Sequence, residues 1–434
     1  MHKRGGKGKV STCTIALIIL GVTIVLFVTE LLPLPVTAVG AAIAMSVFGV
    51  IPFSSSFAGF SSDVTLMVIG SMIIGEALFS TGVAAEIGHA IIKMVGTNEK
   101  VFIIACVVIS AVLSAFLSNT AVVAMMLPVA AATAASSKGA ITKKNSFMAI
   151  GFAANVGGGL TLVGSTPNVI GQGLLADAGL ETMGFFDLTL GGLPRLVVII
   201  LFYATIGCAL QNKVFNFPEV TDETMLAQAN SEGAQKHDPV KMAIASGILI
   251  LTIIGFISGI WTVGIVAMIA GLLCIITRCI SIKELFARID WTTVWVLAGS
   301  LGFASGIAKS GAGQLIADTI IGWFGGSVSL YILMIMFTLL ATLMGNFMSS
   351  SAAVAILGPI GISMCQTLNF STKPLMMVII WSLNLAFLTP IATPPVTMTL
   401  QGGYRFLDYT KIGSILLISC LVVSILTYPL VFHL

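Results

Sequence analysis

AVLSAFLSNTAVVAMMLP (residues 111–128) and TLMGNFMSSSAAVAILGP (residues 342–359) are the stretches whose reading decides the fold. Each sets a polar knot, Ser118-Asn119-Thr120 or Ser349-Ser350-Ser351, inside an apolar run (101–135 or 328–366). Each then places a proline, Pro128 or Pro359, at the same spacing downstream. About 20 apolar residues cross the hydrocarbon core as one helix. A longer run broken by a polar knot reads instead as two short helices that enter and leave on one side, a re-entrant hairpin. Irregular backbone at that depth is tolerated only where it is buried in protein or lines a cavity, so the knots also mark where polar chemistry collects.

Outward from the hairpins, uninterrupted apolar runs lie near 12–32, 36–52, 64–82, 190–211, 240–259, 262–278, 291–310 and 410–432. Two more, 147–176 and 374–404, are interrupted by Gly164-Ser165-Thr166-Pro167-Asn168 and by Ala392-Thr393-Pro394-Pro395. The landmarks recur in order. Gly70-Ser71 with Thr81-Gly82 is echoed by Gly299-Ser300 with Ser310-Gly311, and Asn155 by Asn384. The expected organisation is a basic tail (1–11), a first repeat (12–211), a polar linker (212–237) and a second repeat (238–434). Each repeat holds three crossings, a hairpin and two crossings. An odd number of crossings turns the second copy upside down. The fold class is therefore an all-α polytopic membrane protein of two inverted-topology repeats, the architecture of secondary transporters.

Composition agrees. Of 434 residues, 57% are hydrophobic and 9% charged, against about 25% charged in soluble domains; lipid is the solvent. The net charge of +3 carries no sign of a nucleic-acid partner. The seven cysteines fall almost entirely inside apolar runs, so no disulfide framework is expected. The four histidines, His2, His89, His237 and His433, lie outside the depth of any span, which leaves no histidine-based metal site or catalytic triad. Gly164-Ser165 looks superficially like a nucleophile turn, but no His, Lys or acid nearby in sequence would activate the serine. An enzyme is not expected, nor any cofactor.

Lys and Arg favour the cytoplasmic side. Placing 83–100, 136–146, 211–241, 277–290 and 404–411 inside gathers Lys93, Lys138, Lys143, Lys144, Lys213, Arg278, Lys283, Arg288, Arg405 and Lys411 there, and leaves Lys3, Arg4, Lys7 and Lys9 outside.

A proline suits the first turn of a helix, where its missing N–H would be unpaired anyway. Half-helices are thus expected to begin near Thr120, Pro167, Ser351 and Pro394. Free N–H groups and the positive dipole end suit a carboxylate there. The candidate contacts for a small anion are Ser118, Asn119, Thr120, Ser165, Thr166, Ser349, Ser350, Ser351, Thr393 and Pro394. Neither 101–135 nor 147–176 contains a charge, so the anion is held by dipoles and hydroxyls, alone or with a co-bound cation. Glu76 is the one carboxylate well inside an early span; its counterpart is Ser305, which favours a scaffold role. Lys309 and Arg195, near span ends, are expected to snorkel.

At these residues the chain resembles the divalent-anion/sodium symporter family of di- and tricarboxylate transporters. Ser118-Asn119-Thr120 matches that family's Ser-Asn-Thr signature, and Ala392-Thr393-Pro394-Pro395 resembles its second broken-helix loop. The resemblance covers nearly the whole chain. It implies a homodimer in the cell membrane, with a static scaffold and a transport domain that moves as an elevator. It implies that Ser118, Asn119, Thr120, Thr393 and Pro394 touch the substrate, and that Ser114, Ser118, Asn119 and Gly164 form a sodium site. Three departures stand out. Ser350 replaces the second signature's asparagine. Gly345, at the position matching Ser114, lacks a side-chain oxygen, and its neighbour Asn346 is expected to face about 100° away on a helix. The third is an expected absence of the family's extra first span.

The functional expectation is a carrier of C4–C5 dicarboxylates such as succinate, malate or 2-oxoglutarate. The weakened second cation site favours exchange over sodium symport. A channel is the rival of another class, but a channel has no need of two occluding hairpins. Sulfate and other oxyanions are alternatives within transport.

Overall fold

The structure, a computed structural model, describes residues 11–83, 86, 98–137, 139–217, 238–323 and 328–433. The basic tail, Lys93, Lys138, His89, His237 and the linker beyond residue 217 lie outside the described residues.

Helices α1 (Thr12–Thr29), α2 (Leu34–Val47) and α3 (Asp63–Ser80) come first. The first hairpin follows as α4 (Glu99–Ser114) and α5 (Asn119–Ser136). The first broken helix is α6 (Lys143–Gly158) and α7 (Thr166–Asp177), and α8 (Thr189–Val214) closes the series, with a π-helical turn at Tyr203–Gly207. The order then repeats. Helices α9 (Pro239–Ser258) and α10 (Val263–Ile276) are followed by the short α11 (Ile282–Arg288) and the long α12 (Trp291–Ser310). After α13 (Ala312–Trp323) come the second hairpin, α14 (Leu330–Phe347) and α15 (Ser350–Thr367), and the second broken helix, α16 (Thr372–Leu383) and α17 (Pro394–Met398). Helix α18 (Phe406–Phe432) ends the chain. Among the described residues, eight helices are long and apolar enough to cross a membrane. Their outward faces carry bare aliphatics such as Ile250, Leu251, Ile254 and Ile257 on α9, as lipid contact requires.

The repeats grip each other reciprocally. Helix α10 lies against α3, and α12 lies against α2. Gly70 of α3 sits on the backbone of Ala267, where a Cβ would overlap it; Gly299 of α12 sits on Ala38, where a Cβ would come within 2.7 Å of the Ala38 carbonyl carbon. Gly70 corresponds to Gly299 and Ala38 to Ala267, so one contact is the other with its partners exchanged. Without water between helices, close backbone packing at small residues holds membrane helices together.

The broken helices cross over in the same way. The second half of one, α7, packs on α15 and α16 of the second repeat; the second half of the other, α17, packs on α5 and α6 of the first. Each hairpin therefore shares its core with half a helix from the opposite repeat. Both interruptions end up between the two hairpins.

One side-chain expectation is corrected. Arg195 does not snorkel but is buried, its Nη1 donating to Gly191 O and its guanidinium carbon 4.8 Å from the Trp381 ring centroid. Gly191 lets Trp381 come close to α8, and the indole face offers the cation an apolar partner. Lys309 stays exposed at its span end.

Candidate functional site

The half-helices begin within a residue of their expected starts. Ser118 caps α5, its Oγ accepting from Ala121 N at 3.2 Å. Ser349, Ser165 and Thr393 occupy the N-cap positions of α15, α7 and α17 without a capping hydrogen bond from their side chains. Ser165 and Thr393 hold nearly the same extended backbone, φ −142° with ψ 144° and φ −142° with ψ 137°. Pro394 occupies the first turn of α17 and Pro167 that of α7.

All four interruptions open onto one cavity of about 580 Å³. Ser118, Asn119, Thr120, Ser165, Thr166, Ser349, Ser350, Ser351, Thr393 and Pro394 all line it, as does Gly164. Asn119 and Thr393, which come from opposite repeats, share this wall, and Asn155 Nδ2 donates to Thr393 Oγ1 at 2.9 Å to tie the repeats together beside it. The cavity mixes hydroxyls and amides with the starts of α5, α7 and α15, whose leading N–H groups have no partners within their own helices. Such a wall favours an anion.

The wall also carries charge that the local sequence reading missed. Arg288, from the end of α11, lines the cavity with its Nη1 3.7 Å from Glu76 Oε2; Glu76 and Asp290 line it too. Arg288 is remote in sequence from both hairpins, so only the packing of α11 beside α3 brings it there.

Behind the wall, each hairpin tip is laced to a broken helix. In the first repeat Thr161 Oγ1 donates to Ala115 O, and Asn119, with its amide turned toward its acceptors, donates to Ala154 O at 3.1 Å and Gly164 O at 3.0 Å. Asn168 Nδ2 donates to Gly158 O at 2.7 Å and Thr161 O at 2.8 Å, and Asn384 Nδ2 donates to Asn168 Oδ1 at 3.1 Å. Ser114 is buried, and its Oγ has no hydrogen-bond partner. A Cβ on Gly164 would lie 2.5 Å from Ser114 O and 2.6 Å from Gly158 O, so only glycine lets these oxygens and Asn119 converge.

The second repeat builds the same lacing from different residues. Thr389 Oγ1 donates to Asn346 O at 2.6 Å, as Thr161 does to Ala115 O. Ser350 Oγ donates to Leu383 O at 3.2 Å, as Asn119 does to Ala154 O. Asn346 does not turn away from this junction. It is fully buried and faces the broken helix, because Gly345 lets α14 lie against Leu383 and brings the next residue under the unwound backbone.

Comparison with known proteins agrees with this architecture. The family model described as citrate transporter matches residues 24–265 and 256–434. A Haemophilus influenzae protein named as a transporter is 26% identical over 92% of this chain and 87% of its own length. The sodium-dependent dicarboxylate transporter SdcS of Staphylococcus saprophyticus is 24% identical over 93% of this chain and 83% of its own length. The crystal structure of the Alcanivorax borkumensis YdaH transporter superposes with a TM-score of 0.65 at 12% identity, covering 97% of each chain, and so shares the fold. With paired hairpins, crossed broken helices and a family match spanning nearly all of its length, this multi-pass membrane protein belongs to the citrate transporter family, the di- and tricarboxylate carriers that its signature residues resemble.

Proposed function

We propose that this chain carries C4–C5 dicarboxylates, with the shared cavity as their binding site. The observation that supports this reading is the convergence of both knots and both broken-helix loops on one wall. One carboxylate would meet Ser118, Asn119 and Thr120; the other would meet Ser349, Ser350, Ser351 and Thr393, with Ser165, Thr166 and Pro394 shaping the space between. Hydroxyls, amides and helix-start N–H groups at the four interruptions would hydrogen-bond a carboxylate without a full charge among them. Arg288 would attract the anion only weakly, because Glu76, its ion-pair partner, and Asp290 line the same cavity.

Coupling to sodium rests on the first repeat. Ser114, Ser118, Asn119 and Gly164 would hold the ion through oxygen, the ligand type that small hard cations take. The orphaned Ser114 Oγ and the carbonyls crowded at Gly164 fit that use. The ion would bring positive charge close to a bound carboxylate. The second reading is exchange of one dicarboxylate for another, favoured by the amide that occupies the matching place in the second repeat. In either case the hairpins and broken helices would move as one body against α1–α3 and α9–α12, in an elevator cycle within a homodimer.

Thermal unfolding of the purified protein against C4–C6 carboxylates, each with sodium or choline, tests this reading. Ligands that bind the folded state raise the unfolding midpoint by mass action. A rise with succinate or malate supports the substrate class, and no rise with any C4 or C5 acid refutes it. Counterflow in proteoliposomes with choline replacing sodium separates the modes: persistence means exchange, abolition means symport.

A further inference from the structure

The place that a cation would take in the second repeat is already filled. Asn346 Nδ2 donates to Thr342 O at 2.8 Å and to Leu385 O at 2.9 Å, and its Oδ1 accepts from Phe387 N and Leu388 N, both at 2.8 Å. Both ends of the amide are therefore engaged with the unwound backbone between α16 and α17. The corresponding residue of the first repeat is Ala115, which has no polar side chain. There the junction is left with carbonyl oxygens close to Asn119 and an unpartnered Ser114 Oγ, whereas the unpartnered Thr342 Oγ1 of the second repeat sits on a residue whose carbonyl Asn346 already engages.

We infer that the Asn346 amide acts as a built-in substitute for a cation, so that the second repeat binds none and the carrier couples to no more than one. This deepens the reading above, since it fixes how many ions the cycle can use. The chemistry is that of donor for charge. Buried carbonyls that converge need either N–H donors or a positive ion between them. In the first repeat the two solutions can alternate. Asn119 satisfies Ala154 O and Gly164 O with its Nδ2; turned over, its Oδ1 would join the same two carbonyls and complete an oxygen cage that a small cation fills. Asn346 has no such freedom, because turning it would set its Nδ2 against two backbone N–H groups and its Oδ1 against two carbonyls.

Asn346→Asp tests this. The carboxylate keeps an acceptor for Phe387 N and Leu388 N but sets an oxygen against Thr342 O and Leu385 O, restoring the need for a cation. The purified variant, without substrate, should gain a sodium-dependent rise of several degrees in its unfolding midpoint beyond any rise in the parent, and a sodium titration should show a second binding event. An unchanged sodium response in a folded variant overturns the inference. If the variant does not fold, the parent decides the matter through the sodium dependence of its stability without substrate. A Hill coefficient of about 1, or no sodium dependence, supports the inference, and cooperative binding of two ions overturns it. None of these readings needs the dicarboxylate assignment to be right, so the two fail separately.

Discussion

The two hairpin tips share one plan and differ in what finishes it. In the first repeat, Asn119 reaches the broken helix from the start of α5, and the end of α4 contributes only backbone and Ser114. In the second, the asparagine has moved to the other arm of the hairpin, the end of α14, and Ser350 retains one of the two bonds that Asn119 makes. The lesson is that symmetry is kept at the level of hydrogen-bonded junctions and given up at the level of residues. The second tip is closed by a fully engaged buried amide, and the first by a half-buried amide on the cavity wall.

The strongest way to break this comparison is Asn346→Ala. It leaves two N–H groups and a carbonyl of the second broken helix buried without partners, at about 1–3 kcal/mol each, against a total stability of about 5–15 kcal/mol for a folded domain. The expected result is loss of the monodisperse peak in size-exclusion chromatography; a stable, active variant would show that the amide is not structural. Gly70→Val and Gly299→Val come next. Each should destabilise by about 1–3 kcal/mol through overpacking, and the two should agree closely because the contacts are reciprocal. Gly247→Ala, where a Cβ meets nothing within 4 Å, should leave the unfolding midpoint unmoved. Asn119→Ala should leave the fold intact but reduce substrate affinity about 10-fold or more, equivalent to about 1.4 kcal/mol, read as loss of the succinate-induced thermal shift. Among the cavity residues, the smallest effect is expected from Arg288→Gln. Its side chain is 42% exposed, so solvent screening limits it to about 0–1 kcal/mol, a few-fold weaker uptake that disappears in high salt.

Where the half-helices start was legible because capping is local. Ser118 caps α5 through its side chain, proline stands in the first turn of both broken-helix halves, and each start falls within a residue of the polar knot that precedes it. The repeat was legible because its landmarks fall at equal spacing. Arg288 on the wall, the burial of Arg195 over Trp381 and the inward turn of Asn346 were not legible. Each depends on which distant helix lies opposite: α3 beside Arg288, Trp381 under Arg195, and the unwound residues 385–388 over Asn346. Helical geometry placed Asn346 about 100° from its neighbour correctly; what it could not supply was that the partner backbone curls round to meet that direction.

The paired contacts of Gly70 with Ala267 and Gly299 with Ala38 carry a mechanical consequence. Backbone lies directly on backbone at both, with only the short side chains of Ala267 and Val39 beside it to refill a gap if the helices part. The outer helices of the two repeats are thus pinned at two points, like a truss with a bolt through each end, and such a frame resists hinging. Bending the frame would open a void at both pins, which is the cost that the proposed sliding of the hairpins and broken helices would avoid.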